Sequence, residues 1–578
     1  MAGESDGENG AWSRPASRLP AVVETFLMLL LFAAAGAWPV PEVNETVYLT
    51  KARHHADPHW ARGDWFLETP DAHGTFYLLF GPVAASLPLD RAAWVGRWLG
   101  WLALAVGFRA AVAPLVGTTA MRILAAAVFS LALRGTTMAG EWLIGGCEAK
   151  VFSWALLLGA LGGWFRGVWP RATLLAGAAT ALHPIVGGWG TIAMAAAAAM
   201  VRCGIVPGAV AAAGGNPPAP ARSRWWIWLL PAAGIALAAW GILPMVRLTA
   251  GVDAEARVLA DRIYVVERLP HHLLPRTFAE PLVCRHLLAV LVWLLLVRAT
   301  PPTVARSRCW SVVAVAVAIS ATGWLVAALE PWAPGLAWKL LRFYWFRLAE
   351  GLVPLGLAVA VAAVVGDANA CRRCLPGRPA AIRGIIMAAL AVDLFVQSGH
   401  WPLPGRAGLL PRADAKVQGA AWADICRWVR DSTPADACFI TPRGAASFTW
   451  RTGRREVVCW KNSPQDAVSL VEWRKRIMDC FSIDGRSIVE LERSTAAIGV
   501  ARMRDIAARY GADHAIVPLD LRCVDALPFE RLHANDAFAV YRLVPSANLT
   551  FRETPAPLRC PGTSPPFRPS SSISTACS

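Results

Sequence analysis

Long apolar runs are the feature that most constrains what this chain can fold into. A helix that crosses a bilayer needs about 20 mostly apolar residues, because no backbone polar group can stay unpaired in hydrocarbon. Eleven such runs lie near 21–38, 92–108, 119–133, 151–165, 170–183, 185–201, 225–246, 284–298, 309–329, 346–366 and 384–397. The further run 76–88 is either re-entrant or another span. The sequence therefore predicts an α-helical polytopic membrane protein with about 11 transmembrane helices in residues 21–400.

The composition agrees with this class. Charged residues are 17% of the 578 residues and hydrophobic residues are 56%, whereas a soluble domain has about a quarter charged residues. The formal net charge of +16 would also suit a nucleic-acid-binding protein. The placement of the charge decides between these classes.

The basic residues lie in alternate loops. From the loop after the second run onward, these loops contain Arg109, Arg122, Arg166, Arg171, Arg202, Arg222, Arg224, Arg298, Arg306, Arg308, Arg372, Arg373, Arg378 and Arg383. They hold one acid, Asp367, and the intervening loops 39–91 and 247–283 are acidic or balanced. Because Lys and Arg accumulate on the cytoplasmic side, the N-terminal tail (1–20) is predicted inside and the C-terminal region outside. The basic excess thus marks topology, and no nucleic-acid partner is expected.

The long outer loop, residues 39–91, opens with two carboxylates, Glu42 and Glu45. A short interfacial helix is predicted from Glu42, with Glu45, Tyr48 and Ala52 near one face. A carboxylate at the membrane–water boundary has a raised proton affinity and can act as a base. An ordinary solvated loop explains the same acids, and the residues alone leave both interpretations open.

The same loop is rich in possible metal ligands. These are His54, His55, Asp57, His59 and Asp64. Imidazole and carboxylate suit several divalent ions, but Pro58 interrupts any helix that would align the histidines, and no HExxH motif is present. No cofactor is fixed by these residues. A divalent cation that bridges a phosphate substrate through Asp or Glu is a better expectation than a dedicated zinc site.

Further polar residues are predicted at the same outer level of the membrane. They are Glu141, Glu148 and Lys150 before the fourth run, His183 between the fifth and sixth, and Glu330, Lys339, Arg342 and Arg347 before the tenth. Charges this close to hydrocarbon are costly and often functional, although Lys and Arg at span ends also snorkel to lipid headgroups. Arg342 is the best candidate anchor for a phosphate, because a guanidinium binds phosphate through two parallel hydrogen bonds.

After about residue 400 the pattern changes to that of an α/β domain. Helical patterns cover Asp414 to Asp431, 465–479 and 499–510, and strand patterns cover 437–441, 456–460, 514–519 and 537–543. Alternating helices and strands predict a small extracytoplasmic α/β domain over 412–545. The Pro- and Ser-rich tail 546–578 is predicted to be disordered.

Seven cysteines lie in this domain and tail. They are Cys426, Cys438, Cys459, Cys480, Cys523, Cys560 and Cys577. One to three disulfides are expected if the outer side is oxidising. Buried free thiols are the open alternative.

This arrangement resembles the type C glycosyltransferases, multi-pass enzymes that use polyprenyl-phosphate-linked sugars. The resemblance rests on a first span followed by a long outer loop that opens with Glu42 and Glu45, on many further spans, on a late outer loop with Arg342, and on a C-terminal α/β domain on the same side. It implies that Glu45 or Glu42 is the catalytic base for the acceptor. It also implies that Arg342 and Lys339 neutralise the phosphate of the carrier.

Within that group the chain is most similar to bacterial multi-pass membrane proteins of uncharacterised function with a C-terminal globular domain. The stretches that carry this likeness are Glu45-Thr-Val-Tyr48, Asp64, His73, Trp460-Lys461-x-x-Pro464 and Glu472-Trp473-Arg474-x-Arg476. The predicted substrate-binding residues are Asp64, His73, Glu148, Lys150, His183, Lys339 and Arg342. No metal ligand is predicted among them.

The predicted function is transfer of a sugar from a polyprenyl-phosphate carrier to an acceptor on the outer face of a bacterial inner membrane. A non-enzymatic transporter or envelope scaffold is the alternative. Convergence of Glu45, Asp64, Glu148 and Arg342 in one outer cavity favours the enzyme, whereas scatter of these residues around the rim favours the alternative.

Overall fold

The computed structural model describes residues 20–205, 225–374, 379–403, 406, 408–521 and 527–543. The α-helices are α1 Ala21–Gly36, α2 Glu45–Ala56, α3 Gly74–Ser86, α4 Leu89–Val112, α5 Thr119–Gly135, α6 Ala149–Phe165, α7 Trp169–Leu182, α8 Pro184–Arg202, α9 Trp226–Arg247, α10 Ala254–Arg262, α11 Pro270–Leu273, α12 Glu280–Ala299, α13 Val304–Ala328, α14 Pro334–Leu341, α15 Arg347–Gly366, α16 Ala368–Cys374, α17 Pro379–Ser398, α18 Gly419–Ser432, α19 Phe448–Thr452, α20 Ala467–Phe481 and α21 Val500–Tyr510. A π-helix at Ile263–Arg268 continues α10, and short 3-10 turns lie at Pro275–Thr277, Arg412–Asp414 and Thr495–Ala497. The strands are β1 Cys438–Ile440, β2 Arg455–Glu456, β3 His514–Pro518, β4 Glu530–Ala534 and β5 Phe538–Arg542.

Every one of the eleven predicted apolar runs is helical, and the run 76–88 forms α3. Within the described ranges, six helices are long and apolar enough to cross a membrane: α4, α8, α9, α12, α13 and α15. The apolar helices α1, α3 and α6 are shorter. The chain is a multi-pass membrane protein with a C-terminal sheet region.

Burial separates central helices from lipid-facing ones. The apolar window of α15 is 89% buried, whereas that of α9 is 11% buried and that of α12 is 17% buried. On α9, Trp228, Ile235 and Val246 are each more than half exposed. An apolar surface of this extent belongs against lipid tails. We therefore place α15 at the centre of the bundle and α9 at its lipid face.

Small residues let the membrane helices approach closely. A Cβ on Gly107 of α4 would lie 2.1 Å from the Ala155 carbonyl oxygen of α6, and one on Gly177 of α7 would lie 1.9 Å from the Gly234 carbonyl oxygen of α9. In hydrocarbon, helix association depends on such backbone contact because no hydrophobic driving force acts between the helices.

Several predicted basic loops meet at the end of the bundle away from the sheet region. Glu24 is buried and lies 3.2 Å from the Arg109 guanidinium and 3.5 Å from that of Arg122. Arg306 donates to the Leu115 carbonyl at 3.0 Å. These arginines hold helix ends together at the face predicted to be cytoplasmic.

The C-terminal sheet has the strand order β2-β1-β3-β5-β4 among the described residues. The pairs β1–β2 and β1–β3 are parallel, and β3–β5 and β4–β5 are antiparallel. Successive residues of β5 alternate between two cores: Phe538 and Val540 pack with Trp422, and Ala539 and Tyr541 pack on the other side. The period of two matches a sheet covered on both faces.

Four features of this domain differ from the prediction. The first helix begins at Gly419, not Asp414, because the Asp414 carboxylate accepts the Ser447 hydroxyl at 2.5 Å and also binds Arg451. The strand predicted at 456–460 is the two-residue strand β2. The structure also has α19 and the edge strand β4, which were not predicted. Two of the five β4 residues, Glu530 and Arg531, are charged, and charged side chains are common on edge strands.

The four described cysteines of this domain, Cys426, Cys438, Cys459 and Cys480, are buried free thiols. The alternative of buried thiols therefore holds for these four. Cys523, Cys560 and Cys577 lie outside the described residues, as do the tail 546–578 and residues 1–19.

Candidate functional site

A cavity of about 430 Å³ lies where the membrane helices meet the C-terminal domain. Its wall comes from the start of α2, the loop before α6, the turn between α7 and α8, the end of α9, the stretch from α10 to α11, the segment from α14 to α15, and the loop between β2 and α20. We call it the outer cavity. Segments distant in sequence thus converge on one chamber at the sheet-bearing end of the membrane helices.

The outer cavity is lined by more cations than anions. Its described cationic residues are Lys150, Arg257, Arg268, Lys339, Arg342, Arg347 and Lys461. Its described carboxylates are Glu141, Glu148 and Asp261.

Each of the three carboxylates is paired with one cation. The pairs, with their N–O distances, are Asp261–Arg342 (2.5 Å), Glu141–Arg347 (2.8 Å) and Glu148–Lys150 (3.4 Å). Within the described part of the chain, the cations without a carboxylate inside 4 Å are Arg257, Arg268, Lys339 and Lys461. The cavity therefore has a surplus of four formal positive charges, which suits an anionic ligand.

Lys461 reaches the cavity from the C-terminal domain. Its ammonium donates to the Asn44 side-chain oxygen at 2.5 Å, and its backbone carbonyl accepts from Arg268 at 3.2 Å. Burial, together with the nearby Arg268 charge, lowers the pKa of Lys461 to about 7. Arg268 itself is buried, and its Nε has no hydrogen-bond partner among the described residues. An anion bound here would stabilise both cations.

Histidines on the cavity wall contribute hydrogen bonds without charge. The His73 ring accepts or donates to the Tyr48 hydroxyl at 3.2 Å, and its ring centroid lies 5.0 Å from that of His183. His272 contacts the Ala139 carbonyl at 2.5 Å. Burial lowers the pKa of His73, and burial beside Arg268 lowers the pKa of His271 to about 3. These rings are neutral at pH 7 and add no charge to the formal surplus of four, of which Lys461 is about half protonated at that pH.

The wall between α14 and α15 has a strained backbone. Tyr344 has a φ of +53°, one of two non-glycine residues with positive φ among those described. Its hydroxyl lies 2.9 Å from that of Tyr264, and the Arg347 guanidinium lies 3.9 Å above its ring. A bulky residue in this conformation persists only when its surroundings determine it, and such residues cluster at functional sites.

Six predicted substrate-binding residues line the outer cavity: His73, Glu148, Lys150, His183, Lys339 and Arg342. The seventh, Asp64, does not. Its carboxylate accepts the backbone N–H of Leu67 at 3.0 Å and that of Glu456 at 3.1 Å. Asp64 therefore joins the long loop to strand β2, and its oxygens face backbone donors and not the cavity.

Glu45 also lies away from the cavity wall, although its neighbour Asn44 is part of it. Glu45 is fully buried in a bidentate ion pair with Arg97, with both N–O distances 2.7 Å. Its oxygens also accept the backbone N–H groups of Glu42 and Cys147, each at 2.8 Å. Burial acts to raise the pKa of Glu45, but Arg97 outweighs this and holds it below its usual value. A carboxylate this fully bonded is poorly suited to take a proton.

Glycine at position 146 allows this packing, because a Cβ there would lie 2.8 Å from the Glu45 Cγ. Glu42 is buried beside Arg412, with an N–O distance of 3.5 Å, and is not on the cavity wall. Burial raises the pKa of Glu42 to about 7, with the Arg412 charge opposing the rise.

Of the four residues chosen to distinguish the two functions, Glu148 and Arg342 share the cavity and Glu45 and Asp64 do not.

Sequence reasoning missed the wall contributed by residues 257–272. This wall holds Arg257, Asp261, Tyr264, Arg268, Leu269, His271 and His272. The loop 247–283 balances five acids with five basic residues, so its charge gave no signal. The adjacent histidines at 271 and 272 were the available indication.

No group of three or more His, Cys, Asp or Glu side chains in the described ranges is arranged to hold a metal ion. His54, whose Nδ1 contacts the Trp60 carbonyl at 2.8 Å, and Asp64 are engaged in holding the long loop. A divalent cation is therefore expected only as a bridge to a bound phosphate substrate.

The fold and the cavity define a multi-pass membrane protein with a cationic chamber beneath a C-terminal sheet domain. Residues 420–480 match the model of a domain of unknown function, DUF6798. No curated protein matches the sequence.

Solved structures similar to this chain include two of the Archaeoglobus fulgidus oligosaccharyltransferase. One, AglB in complex with an inhibitory peptide and a dolichol-phosphate, is 12% identical with a TM-score of 0.41, and the match covers 86% of this chain and 69% of that one. The other, a complex with Zn and sulfate, is 11% identical with a TM-score of 0.39, covering 86% and 68%.

ArnT from Cupriavidus metallidurans bound to undecaprenyl phosphate is 13% identical with a TM-score of 0.33, covering 92% of this chain and 98% of that one. Each of these three matches covers at least 86% of this chain. Identities of 11–13% and TM-scores of 0.33–0.41 assign no activity to this chain.

Proposed function

We propose that the protein transfers a sugar from a polyprenyl-phosphate carrier to an acceptor at the outer face of the membrane. The outer cavity is the site of transfer. Its surplus of four positive charges, at the boundary between lipid-facing helices and a water-exposed domain, is the observation that carries the proposal.

The cation surplus fits the leaving group of this reaction. The bond between the anomeric carbon of the sugar and a phosphate oxygen breaks, and the electron pair leaves with the phosphate. Arg268 and Lys339 have no carboxylate partner within the described residues, and Arg342 has one on one side of its guanidinium. Preorganised positive charge at the point where negative charge develops is usually the largest contribution to catalysis. The carrier's lipid tail would lie against the apolar surface near Val246.

Glu148 is the base that this geometry supports best. It lines the cavity and is buried. Its ion contact with Lys150, at 3.4 Å, is longer than the contacts that Glu141 and Asp261 make with arginines. One of its oxygens accepts the Asn44 amide at 3.1 Å. Glu148 would take the proton of the acceptor's nucleophilic group as that group attacks the anomeric carbon.

In this proposal Glu45 and Glu42 are positioning residues. Glu45 binds the backbone N–H of Cys147, which directly precedes Glu148. The ion pair with Arg97 thus fixes the start of α6 against α4. We further propose that the membrane domain spans 21–400 and that the C-terminal domain spans 412–545.

We also propose an orientation of the protein in the membrane. All eleven apolar helices cross the membrane, the N-terminus lies inside, and the C-terminal domain lies outside. The bilayer is the inner membrane of a bacterium. The segregation of Arg109, Arg122 and Arg306 at one end, and of the cavity at the other, supports this orientation.

The test is a transfer assay with purified protein in liposomes that contain radiolabelled polyprenyl-phosphate sugars and a membrane extract as acceptor source. We expect Glu148→Gln to lower transfer about 100-fold or more while carrier binding is retained. The matched control is Glu255→Gln, an exposed carboxylate on α10 that does not line the cavity. Carrier binding without transfer by the wild-type protein would favour the transporter or scaffold.

A further inference from the structure

A second cleft, of about 540 Å³, lies between the long loop, the outer end of α4 and the C-terminal domain. Arg53 of α2 forms part of its wall, so we call it the Arg53 cleft. It shares no lining residue with the outer cavity. Nothing in the transfer reaction requires it.

The Arg53 cleft is lined by arginines. They are Arg53, Arg427, Arg430, Arg451 and Arg454. Asp90 is the one carboxylate among its described lining residues, and it accepts the indole N–H of Trp450 at 2.8 Å.

Two of these arginines, Arg451 and Arg454, are engaged within the domain, and Arg427 forms an exposed pair with Asp424 at 3.0 Å. Arg451 binds Asp414, and Arg454 donates to the backbone carbonyls of Arg430 and Thr433 at 2.7 and 2.8 Å. Arg430 forms an exposed pair with its neighbour Asp431 at 2.9 Å. An exposed pair of this kind is worth little and leaves guanidinium donors free for another acceptor.

Arg53 is different, because it has no carboxylate within 4 Å among the described residues. Its guanidinium lies 4.8 Å above the Trp60 ring, and its Nε is buried with no hydrogen-bond partner in the described chain. Burial lowers its pKa, with Asp57 opposing the shift. The Nε is out of reach of solvent, so a ligand in the cleft would be bound by the other guanidinium N–H groups of Arg53.

The backbone beside it is strained. Ala61, which lines the cleft, has a φ of +51°, and it is the second of the two described non-glycine residues with positive φ. The other, Tyr344, lines the outer cavity. Strain of this kind is retained where the surroundings impose it, often at binding sites.

The Arg53 cleft opens at the membrane surface. Leu89 and Asp90 begin α4, and one face of this helix is apolar and exposed at Val95, Leu99 and Val106. That face belongs against lipid tails. Because α4 begins at this cleft, we place the cleft near the headgroup level of the adjoining leaflet.

We infer that the Arg53 cleft is a second anion site, which binds a phosphate ester through Arg53 and Arg430. The phosphate belongs to a lipid headgroup of the adjoining leaflet or to a soluble phosphate ester, and the recognition chemistry is the same for both. A guanidinium binds phosphate through two parallel hydrogen bonds, and stacking of the Arg53 guanidinium on the Trp60 ring holds it in the cleft.

The first arm of the test uses phosphatidylglycerol, with phosphatidylcholine as the zwitterionic comparison. Purified protein in detergent is titrated with each lipid, and bound molecules are counted by native mass spectrometry. We expect Arg53→Gln and Arg430→Gln to bind phosphatidylglycerol at this site about ten-fold more weakly or worse. Arg430 is exposed, so its replacement leaves the fold intact. The matched control is Arg91→Gln, an exposed arginine of α4 that does not line the cleft.

The second arm replaces the lipid with inorganic phosphate and follows binding by calorimetry on the same proteins. Phosphate bound in the outer cavity contributes equally to all of them, since no substituted residue lines it. Weaker lipid binding by both cleft variants identifies a headgroup, and weaker phosphate binding alone identifies a soluble ester. If the cleft variants match Arg91→Gln in both arms, the site does not exist.

Discussion

The buried ion pair between Arg97 and Glu45 offers a quantitative test of how the cavity is held together. Both side chains are fully buried, and they form two hydrogen bonds of 2.7 Å. Removing one partner of such a pair leaves an uncompensated charge in the interior and costs about 3–5 kcal/mol. We expect Arg97→Met to lower the free energy of unfolding by that amount.

A second substitution separates the stability contribution of the ion pair from that of the other hydrogen bonds of Glu45. Glu45→Gln in the Arg97→Met background removes the unpaired negative charge. The amide keeps one acceptor oxygen for the backbone N–H groups of Glu42 and Cys147, which both bonded to the carboxylate. One N–H then loses its acceptor, at about 1–3 kcal/mol. The double variant should therefore be more stable than Arg97→Met by about 2 kcal/mol.

Unfolding by sodium dodecyl sulfate in mixed micelles, followed by far-UV circular dichroism, measures these differences. The matched control is Arg109→Met on the same helix, whose side chain is 30% exposed and pairs with Glu24 at 3.2 Å. We expect it to cost about 1 kcal/mol or less. If Arg97→Met is no less stable than this control, or if Glu45→Gln destabilises it further, the assignment of Glu45 to a structural ion pair is wrong.

Three further predictions follow from buried polar groups. Burial raises the pKa of Glu456 to about 8, above its value of about 4.5 in the unfolded chain. The folded protein should therefore lose stability as the pH rises from 5 to 8. Thermal unfolding of Glu456→Gln should show a smaller loss over the same pH range. Because the pKa of Lys461 is lowered to about 7, the affinity of the wild type for undecaprenyl phosphate should fall between pH 6 and pH 8 relative to that of Lys461→Met, which keeps only the titration of the phosphate itself. Glu350 accepts the backbone N–H groups of Met138, Ala139 and Glu141. Glu350→Leu should therefore lower the melting temperature and weaken carrier binding, at about 1–3 kcal/mol of stability for each N–H left without an acceptor. Unchanged melting and binding would show that Glu350 does not position this loop.

The membrane helices were predictable because the bilayer imposes a length and an apolar composition on each. The convergence of polar residues such as Lys150, His183 and Arg342 was predictable for a related reason. Polar side chains at one level of the membrane avoid lipid by facing the interior of the helix bundle. Their positions at span ends in the sequence therefore implied proximity in space.

Other parts of the site depend on contacts that no local pattern reveals. Arg97 lies within an apolar run, 52 residues after the Glu45 carboxylate that it binds. Asp64 was predicted to bind substrate, yet its carboxylate accepts the backbone N–H of Glu456, 392 residues away. The resemblance to type C glycosyltransferases implied Glu45 or Glu42 as the base, and no local pattern in the sequence pairs Glu45 with Arg97.

The central claim is that the outer cavity binds a lipid phosphate, and equilibrium binding of undecaprenyl phosphate to the protein in nanodiscs tests it most directly. Arg268 lines the cavity without a carboxylate partner in the described chain, whereas Arg276 pairs with Glu330 at 3.2 Å and lies outside it. We predict that Arg268→Gln weakens binding about ten-fold or more, and that Arg276→Gln binds as the wild type does. Equal binding by all three proteins, or no binding by the wild type, would contradict the account.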